Sequence, residues 1–211
     1  MWAEMYLCPI CYSLTPDYGT VLSKEQADAD MIASFPTQDW VKNRDALMGL
    51  VKFYEGEINR NELVGEVGGG PGCLASALIN SGYDYIGSEP TPLCERAKKV
   101  FGIPDNRYMQ TDYNGFFMMT EGQKFGTIFM WHVLEHVQDP MELLTKTYDS
   151  LLPGGKIIAE IPLPIPAYIF PDHLSFFSKP TLLYIKSTIG FSEHITREVK
   201  DWNYMSFIMR K

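Results

Sequence analysis

The sequence predicts an α/β protein: a seven-stranded, mostly parallel sheet with helices on both faces and an antiparallel hairpin at its C-terminal end. Three observations carry this. From residue 63 onward, short apolar runs alternate with segments of helical period. An early strand-to-helix link is packed with glycine. The last two strand-like runs are joined by a link too short for a parallel crossover.

Each element follows from local pattern. Gln38 to Tyr54 reads as a helix, with Trp40, Leu47, Leu50, Val51 and Tyr54 on one face and Gly56 closing it. Leu63 to Val67 is a short apolar strand, and Cys73 to Ser81 a helix. Asp84 to Ser88 is the second strand, Pro92 to Phe101 the next helix, and Arg107 to Gln110 a weak third strand. Phe125 to Trp131 is a strongly apolar strand. Pro140 to Leu152 is a helix stopped by Pro153-Gly154-Gly155, and Lys156 to Ile161 is the fifth strand. After a helix near Thr181 to Thr188, strands at 193–200 and 204–210 flank a turn at Asp201 to Asn203. Repeated strand–helix units with short links place helices on both faces of a parallel sheet. Residues 1–35 form a separate N-terminal segment that reads poorly as regular structure, with a turn signal at Pro16-Asp17-Tyr18-Gly19. The main domain is 36–211.

Bulk properties narrow the function. The 211 residues carry a net charge of −8, which argues against a nucleic-acid partner, since phosphate binding needs clustered Lys and Arg. No run approaches the ~20 apolar residues of a membrane helix, so no membrane insertion is expected. The first 23 residues lack Lys and Arg and so the basic start of a secretory signal. The four cysteines make no disulfide framework. A reducing, cytoplasmic setting is the expectation.

The link Glu66-Val67-Gly68-Gly69-Gly70-Pro71-Gly72 has four glycines in five positions, more than a tight turn requires. Glycine lets the backbone approach a ligand closely, and the following helix presents free N–H groups. The carboxyl end of a parallel strand is where open α/β sheets bind ligands. A nicotinamide dinucleotide site is the rival reading. Its fingerprint fails in the register starting at Gly68, where Cys73 takes the sixth place, and passes formally in the register starting at Gly70.

The loop resembles the first motif of class I S-adenosylmethionine-dependent methyltransferases, an acidic residue followed by Gly-x-Gly-x-Gly. The matching positions are Glu66, Gly68, Gly70 and Gly72, with Glu66 where Asp is commoner. The run Phe125 to Pro140, containing Trp131-His132-Val133-Leu134-Glu135-His136, is very similar to the fourth-strand region of small-molecule methyltransferases. These include enzymes of the ubiquinone pathway and many sugar and natural-product enzymes. Leu151 to Lys156 matches their fifth-strand entry, and Asp172-His173-Leu174-Ser175-Phe176-Phe177-Ser178 resembles an "EHL…FFS" element of one subgroup, with Asp for Glu. The likeness spans about residues 45–210 and falls among the type 11, 12 and 23-like domain families.

The resemblance implies a Rossmann-like seven-stranded sheet, S-adenosylmethionine as cofactor and a small-molecule acceptor. It implies that Glu66, Gly68, Gly70, Gly72, Glu89, Asp112, Trp131 and His132 meet the cofactor. Glu89, ending the second strand, can accept from both ribose hydroxyls. Asp112 would meet the adenine amino group, or cap a helix. Tyr113 would stack on adenine, or simply pack. His132 and His173 are the candidates to accept or orient an acceptor proton, because histidine titrates near neutrality. His136 reads as structural. The aromatics Tyr113, Phe116, Phe117, Tyr168, Phe170 and Phe176 suit a sugar, a phenol or a lipid-like precursor, or the core. The acceptor atom (oxygen, nitrogen or carbon) stays open, as does the oligomeric state. The alternative from another class is a noncatalytic partner subunit that binds the cofactor.

No metal is expected. His132 to His136 spells the H-x-x-E-H zinc-protease pattern, but that pattern needs a helix and a distant third ligand. Some ubiquinone-pathway enzymes are thought to hold a divalent ion with acidic and histidine residues of this loop, and His132 stands where they have an acid. Cys8 and Cys11 form a C-x-x-C, half of a zinc knuckle such as some relatives carry in duplicate. Two ordinary thiols, a remnant of a knuckle, is the preferred reading, because a closed zinc site wants four ligands.

Overall fold

The computed structural model describes residues 4–9, 11, 13–17, 29, 39–169, 171–199 and 203–211. Its elements in chain order are β1 (Glu4–Leu7), β2 (Leu14–Asp17), α1 (Trp40–Phe53), β3 (Val64–Val67), α2 (Cys73–Asn80), β4 (Tyr85–Ser88) and α3 (Leu93–Phe101). They continue with β5 (Tyr108–Met109), α4 (Tyr113–Met119), β6 (Phe125–Trp131), α5 (Pro140–Ser150), β7 (Leu151–Pro162), α6 (Lys179–Ile189), β8 (Glu193–Val199) and β9 (Tyr204–Arg210). Single 3₁₀ turns lie at Leu134–His136 and Pro166–Tyr168.

The seven-stranded sheet has the order β5-β4-β3-β6-β7-β9-β8. β3, β4, β5, β6 and β7 pair in parallel. β9 pairs antiparallel with both β7 and β8, so it alone runs against the rest. This is the sheet the strand–helix alternation predicts. The order reverses at β3, which therefore lies next to both β4 and β6, and that reversal opens a crevice at the carboxyl edge.

Two apolar layers cover the sheet. Phe116 of α4, Leu143 and Leu144 of α5, and Leu182 and Ile185 of α6 pack on one face. Trp40 and Val51 of α1, Leu74 and Leu78 of α2, and Leu93 and Ala97 of α3 pack on the other. The strands feed both layers by alternation: Ile157, Ala159 and Ile161 of β7 face the first and Ile158 the second. The apolar face expected of α1 is the buried one, with Trp40, Val51 and Tyr54 inside and Leu47 and Leu50 partly so. Helix ends are chemically specified. Asp139 accepts from Glu142 N at 2.9 Å ahead of Pro140, and Ser178 and Thr181 form a capping box. Among the described residues, no helix is long and apolar enough to cross a membrane.

The structure corrects several boundaries. Pro16 and Asp17 belong to β2, paired with β1, where the sequence suggests a turn; Tyr18 and Gly19 lie outside the described residues. Backbone pairing across a short hairpin overrides the local turn preference there. α4 has no counterpart among the sequence expectations, because its short Tyr-Asn-Gly-Phe-Phe run shows no clear period. α5 ends at Ser150, since Leu151 already pairs with Phe125, and a register shift then carries Pro153-Gly154-Gly155 to the Thr127–Lys156 pair. Of the turn expected at 201–203, residues 201 and 202 lie outside the described set, as do Gln38 and Phe170.

Candidate functional site

The glycine loop closes β3 at the carboxyl edge. Gly68, Gly70 and Gly72 all have positive φ, at 71°, 52° and 70°. A Cβ at Gly68 would lie 2.6 Å from Val133 Cγ2, and one at Gly72 2.7 Å from Ala97 Cβ. Those two glycines let the loop seat on its neighbours. A Cβ at Gly70 meets nothing within 4 Å, so this position faces open space.

Side chains from β4 and β5 hold the loop. Glu89 is buried, and its Oε2 accepts from Gly70 N at 2.8 Å while Oε1 accepts from Thr91 N at 2.9 Å. Each carboxylate oxygen keeps a second acceptor lone pair. Tyr108 OH donates to Gly70 O at 2.9 Å, and Gly69 N to Ser88 O at 2.9 Å. Glu66 lies beneath the loop and accepts from Tyr85 OH at 2.5 Å. Its burial is complete enough to push its pKa up to about 7, against the pull of the Tyr85 bond and with help from the charge of Glu89. Asp112 is exposed and caps α4, accepting from Gly115 N at 2.9 Å. Tyr113 packs on the core and donates to Glu142 at 2.8 Å; Phe116 is core.

The second half of the site follows β6. Trp131 meets Tyr54 edge-to-face at 6.4 Å. His132 has φ 53°, a left-handed conformation rare for a residue with a side chain and a mark of a constrained site. Its Nδ1 lies 3.2 Å from Glu135 Oε1 and its Nε2 3.3 Å from Glu160 Oε1. Burial opposes the charged ring, but the bonds to Glu135 and Glu160 prevail and push its pKa up to about 9. Tyr204 contacts the ring at 4.5 Å and itself meets Tyr168 at 5.3 Å.

His136 and His173 sit together, ring centroids 4.7 Å apart. His136 Nδ1 donates to Asp172 O at 2.9 Å. His173 is buried beside Phe176, and burial with the neighbouring His136 depresses its pKa to about 4. Leu174 N donates to Glu135 O at 2.7 Å, so the loop after β6 is stitched to the segment after β7. The N-terminal hairpin reaches the same place: Leu14 and Phe176 exchange two backbone hydrogen bonds of 2.9 and 2.7 Å.

The structure thus gathers Glu66, Gly68, Gly70, Gly72 and Glu89 into one cradle, and His132 and His173 into a second cluster joined through Glu135 and His136. Asp112 stands at the start of α4, one strand further on. Sequence reasoning missed Glu135, Glu160 and Tyr204. Glu135 was visible in the H-x-x-E-H spacing. Glu160 pairs with Trp131 across β6 and β7, and Tyr204 starts β9, positions that no local signal marks. Cys8 and Cys11 are half-buried thiols not joined in a disulfide, with Cys11 Sγ 3.2 Å from Ser13 Oγ. Among the described residues no third metal-ligating side chain joins them.

A family model described as a methyltransferase domain matches residues 40–208. The chain belongs to the S-adenosylmethionine-dependent methyltransferase family. An uncharacterized methyltransferase of Mycobacteroides abscessus is 34% identical over 106 residues, 49% of this chain and 41% of that protein. A ubiquinone biosynthesis O-methyltransferase of Cereibacter sphaeroides is 27% identical over 96 residues, 44% of this chain and 38% of that protein. The match thus spans about two fifths of these curated relatives' length. Among solved structures, the 1,6-didemethyltoxoflavin-N1-methyltransferase of Burkholderia thailandensis, with bound S-adenosylhomocysteine, superposes with a TM-score of 0.60 at 12% identity, covering 99% of each chain. The likeness at that identity is one of fold.

The cradle of this methyltransferase fits the family's cofactor. The space above Gly70 is the one a Cβ would enter, and the Glu89 carboxylate sits against the same backbone with acceptor capacity to spare.

Proposed function

We propose that the chain transfers a methyl group from S-adenosylmethionine to a small-molecule acceptor. The observation that carries this reading is Gly70: a left-handed glycine whose missing side chain faces open space, with Glu89 bonded to its N–H. Gly70 leaves room for the amino-acid end of the cofactor, Gly68 and Gly72 let the loop seat against Val133 and Ala97, and Glu89 accepts from the ribose. When bound, the cofactor supplies a methyl group on a sulfonium, an electrophile already activated.

The chain's task is then alignment and exclusion of water. The acceptor side is the cluster around His132, where Tyr168 and Tyr204 offer ring surface beside a fixed imidazole. A small planar acceptor suits that surface, and an oxygen nucleophile on a phenol-like ring is the class we favour. The C. sphaeroides relative, by its name an O-methyltransferase of ubiquinone biosynthesis, supports the same class. Both ring nitrogens of His132 face carboxylates, which supports a positioning role rather than that of a free proton acceptor. His173 is buried behind the same loop, which supports it as a brace for the acceptor side.

The test is turnover with labelled S-adenosylmethionine against matched phenols, aryl amines and sugars, alongside calorimetric binding of S-adenosylhomocysteine. Cofactor binding with label appearing on a phenolic oxygen is the expected result. Labelled sugars alone would overturn the acceptor class, and absence of cofactor binding would overturn the whole reading.

A further inference from the structure

The sheet ends at β8, and among the described residues no strand pairs with the outer side of that edge. The direction of its backbone groups follows from the neighbouring ladder. Leu163 N donates to Asn203 O and Lys211 N to Gly155 O, both at 2.9 Å, so the odd-numbered residues of β9 turn their N–H and C=O groups to β7. The even-numbered residues turn theirs to β8, where Ser206 pairs with Arg197 and Ile208 with Ile195. Within β8 the backbone groups of His194 and Thr196 therefore point outward along the edge.

The two faces of β8 differ. α6 packs on one, where His194 and Thr196 are half-buried and Glu198 bonds to Lys179 at 2.8 Å. The other carries Glu193, Ile195 and Arg197, all exposed, Ile195 at 53%. Beside this face lies a groove of about 240 Å³ at the end of α1, lined by Ile195, Arg197 and Phe53, which is itself 61% exposed. The Arg197 guanidinium rests 5.2 Å over the Phe53 ring, a stacking that orients it and leaves its in-plane N–H groups to bond elsewhere. Glu193 Oε2 accepts from Arg210 Nε at 2.9 Å, and its other oxygen adds acceptor capacity. An edge strand of seven residues with an exposed isoleucine near its middle is a template for another strand.

We infer that two copies of this chain pair antiparallel along β8, about a two-fold axis at Ile195, and join their sheets into one. The order of side chains selects the occupant. Glu193-x-Ile195-x-Arg197 is complementary to its own reverse: Glu193 of each copy faces Arg197 of the other, and the two Ile195 side chains meet at the axis. In the same register His194 of one copy and Thr196 of the other exchange both backbone hydrogen bonds. A register centred on Arg197 sets that cation against itself, and one centred on Thr196 sets it against Ile195. Edge charges ordinarily keep strands apart. Here their alternation of sign favours one register of self-pairing. The contact would hold the Phe53 end of α1, whose next residue, Tyr54, packs on Trp131. β8 stands at the opposite end of the sheet from β4 and β5, so the inference is independent of the function proposed above.

Analytical ultracentrifugation of the full chain tests this. The parent should sediment as a dimer at ~100 μM, well within reach of a specific contact. Thr196→Pro removes an outward N–H and leaves the bonds to β9, and Arg197→Glu sets carboxylate against carboxylate; each should weaken the dimer at least ~10-fold. Far-UV circular dichroism checks the fold of both, and Arg197→Glu, at an exposed position, carries the test if Thr196→Pro does not fold. The register is read by mild oxidation of Ile195→Cys and Arg197→Cys in a Cys8→Ser/Cys11→Ser background. Facing residues at 195 have Cα atoms about 4.5 Å apart, within disulfide reach, so Ile195→Cys should cross-link the two copies. Positions 197 lie four residues apart along the paired strands, about 13 Å, and Arg197→Cys should not cross-link. A parent that is monomeric at ~100 μM would overturn the inference. So would a dimer that both Thr196→Pro and Arg197→Glu leave intact, or cross-linking through Arg197→Cys in place of Ile195→Cys.

Discussion

The two halves of the site are built by different means. The half proposed to hold the cofactor, from Gly68 to Glu89, is made mostly of backbone: three left-handed glycines and a carboxylate bonded to the amides of Gly70 and Thr91. The half proposed to face the acceptor is made of side chains from distant parts of the chain. Glu135 meets His132 and His173, His132 meets Glu160 and Tyr204, and Leu14 bonds to Phe176. Backbone cradles serve a ligand shared by a whole family. Side-chain clusters can be rearranged while the cradle stays, which is why we place acceptor choice in this proposed half.

That contrast can be broken by variants that move one half and leave the other. The largest separation is expected at His132. His132→Ala should lower kcat by about 100-fold through misplacement of the acceptor and leave the dissociation constant for S-adenosylhomocysteine within about threefold, as read by single-turnover kinetics and calorimetry on one preparation. Equal losses in both would merge the two halves. Glu89→Ala should act the opposite way, weakening S-adenosylhomocysteine by ~10- to 150-fold through loss of charge-assisted bonds. A change under twofold would make Glu89 merely a support for the loop.

Glu66 tests the floor of the cradle through pH. Its pKa is raised by burial from an unfolded value of 4.5 to about 7, so the folded state holds the proton more tightly. Stability from this group is therefore full below pH 4.5 and is lost as pH rises through 7, by roughly 3 kcal/mol in all. Glu66→Gln keeps an acceptor for Tyr85 and should flatten the fall in urea-unfolding stability between pH 5 and 8. A slope unchanged from the parent would show that Glu66 is ionised in the fold. The smallest effect is expected at Tyr108→Phe, which removes one hydrogen bond to Gly70 O. About 1 kcal/mol, or fivefold in cofactor affinity, is the expected loss.

Legibility in the sequence follows the same division. The strands and their order of appearance showed in apolar runs, and the cradle showed in its glycines, because both are local. Glu89 was legible as the acidic residue closing the second strand, and the fold bonds its carboxylate to Gly70 N. The β1–β2 hairpin did not show, since Pro16 and Asp17 signal a turn and only pairing with Glu4 and Met5 makes them a strand. Nor did the partners of His132. Glu160 is set by the register of β6 against β7, and Tyr204 by the return of β9 along β7, and no window of sequence contains either relation. His173 was visible as a titratable residue, but its neighbour His136 lies 37 positions away and is brought there by the stitch between Glu135 and Leu174.

The central claim is that the open side of Gly70 is the cofactor's place. Calorimetric titration of S-adenosylhomocysteine into Gly70→Val tests it most directly, with thermal unfolding measured on the same sample. Binding should be abolished while the protein stays folded, since the added side chain enters open space and carries mainly the strain of a left-handed residue, about 1–2 kcal/mol. A folded Gly70→Val that binds S-adenosylhomocysteine with parental affinity would contradict the account.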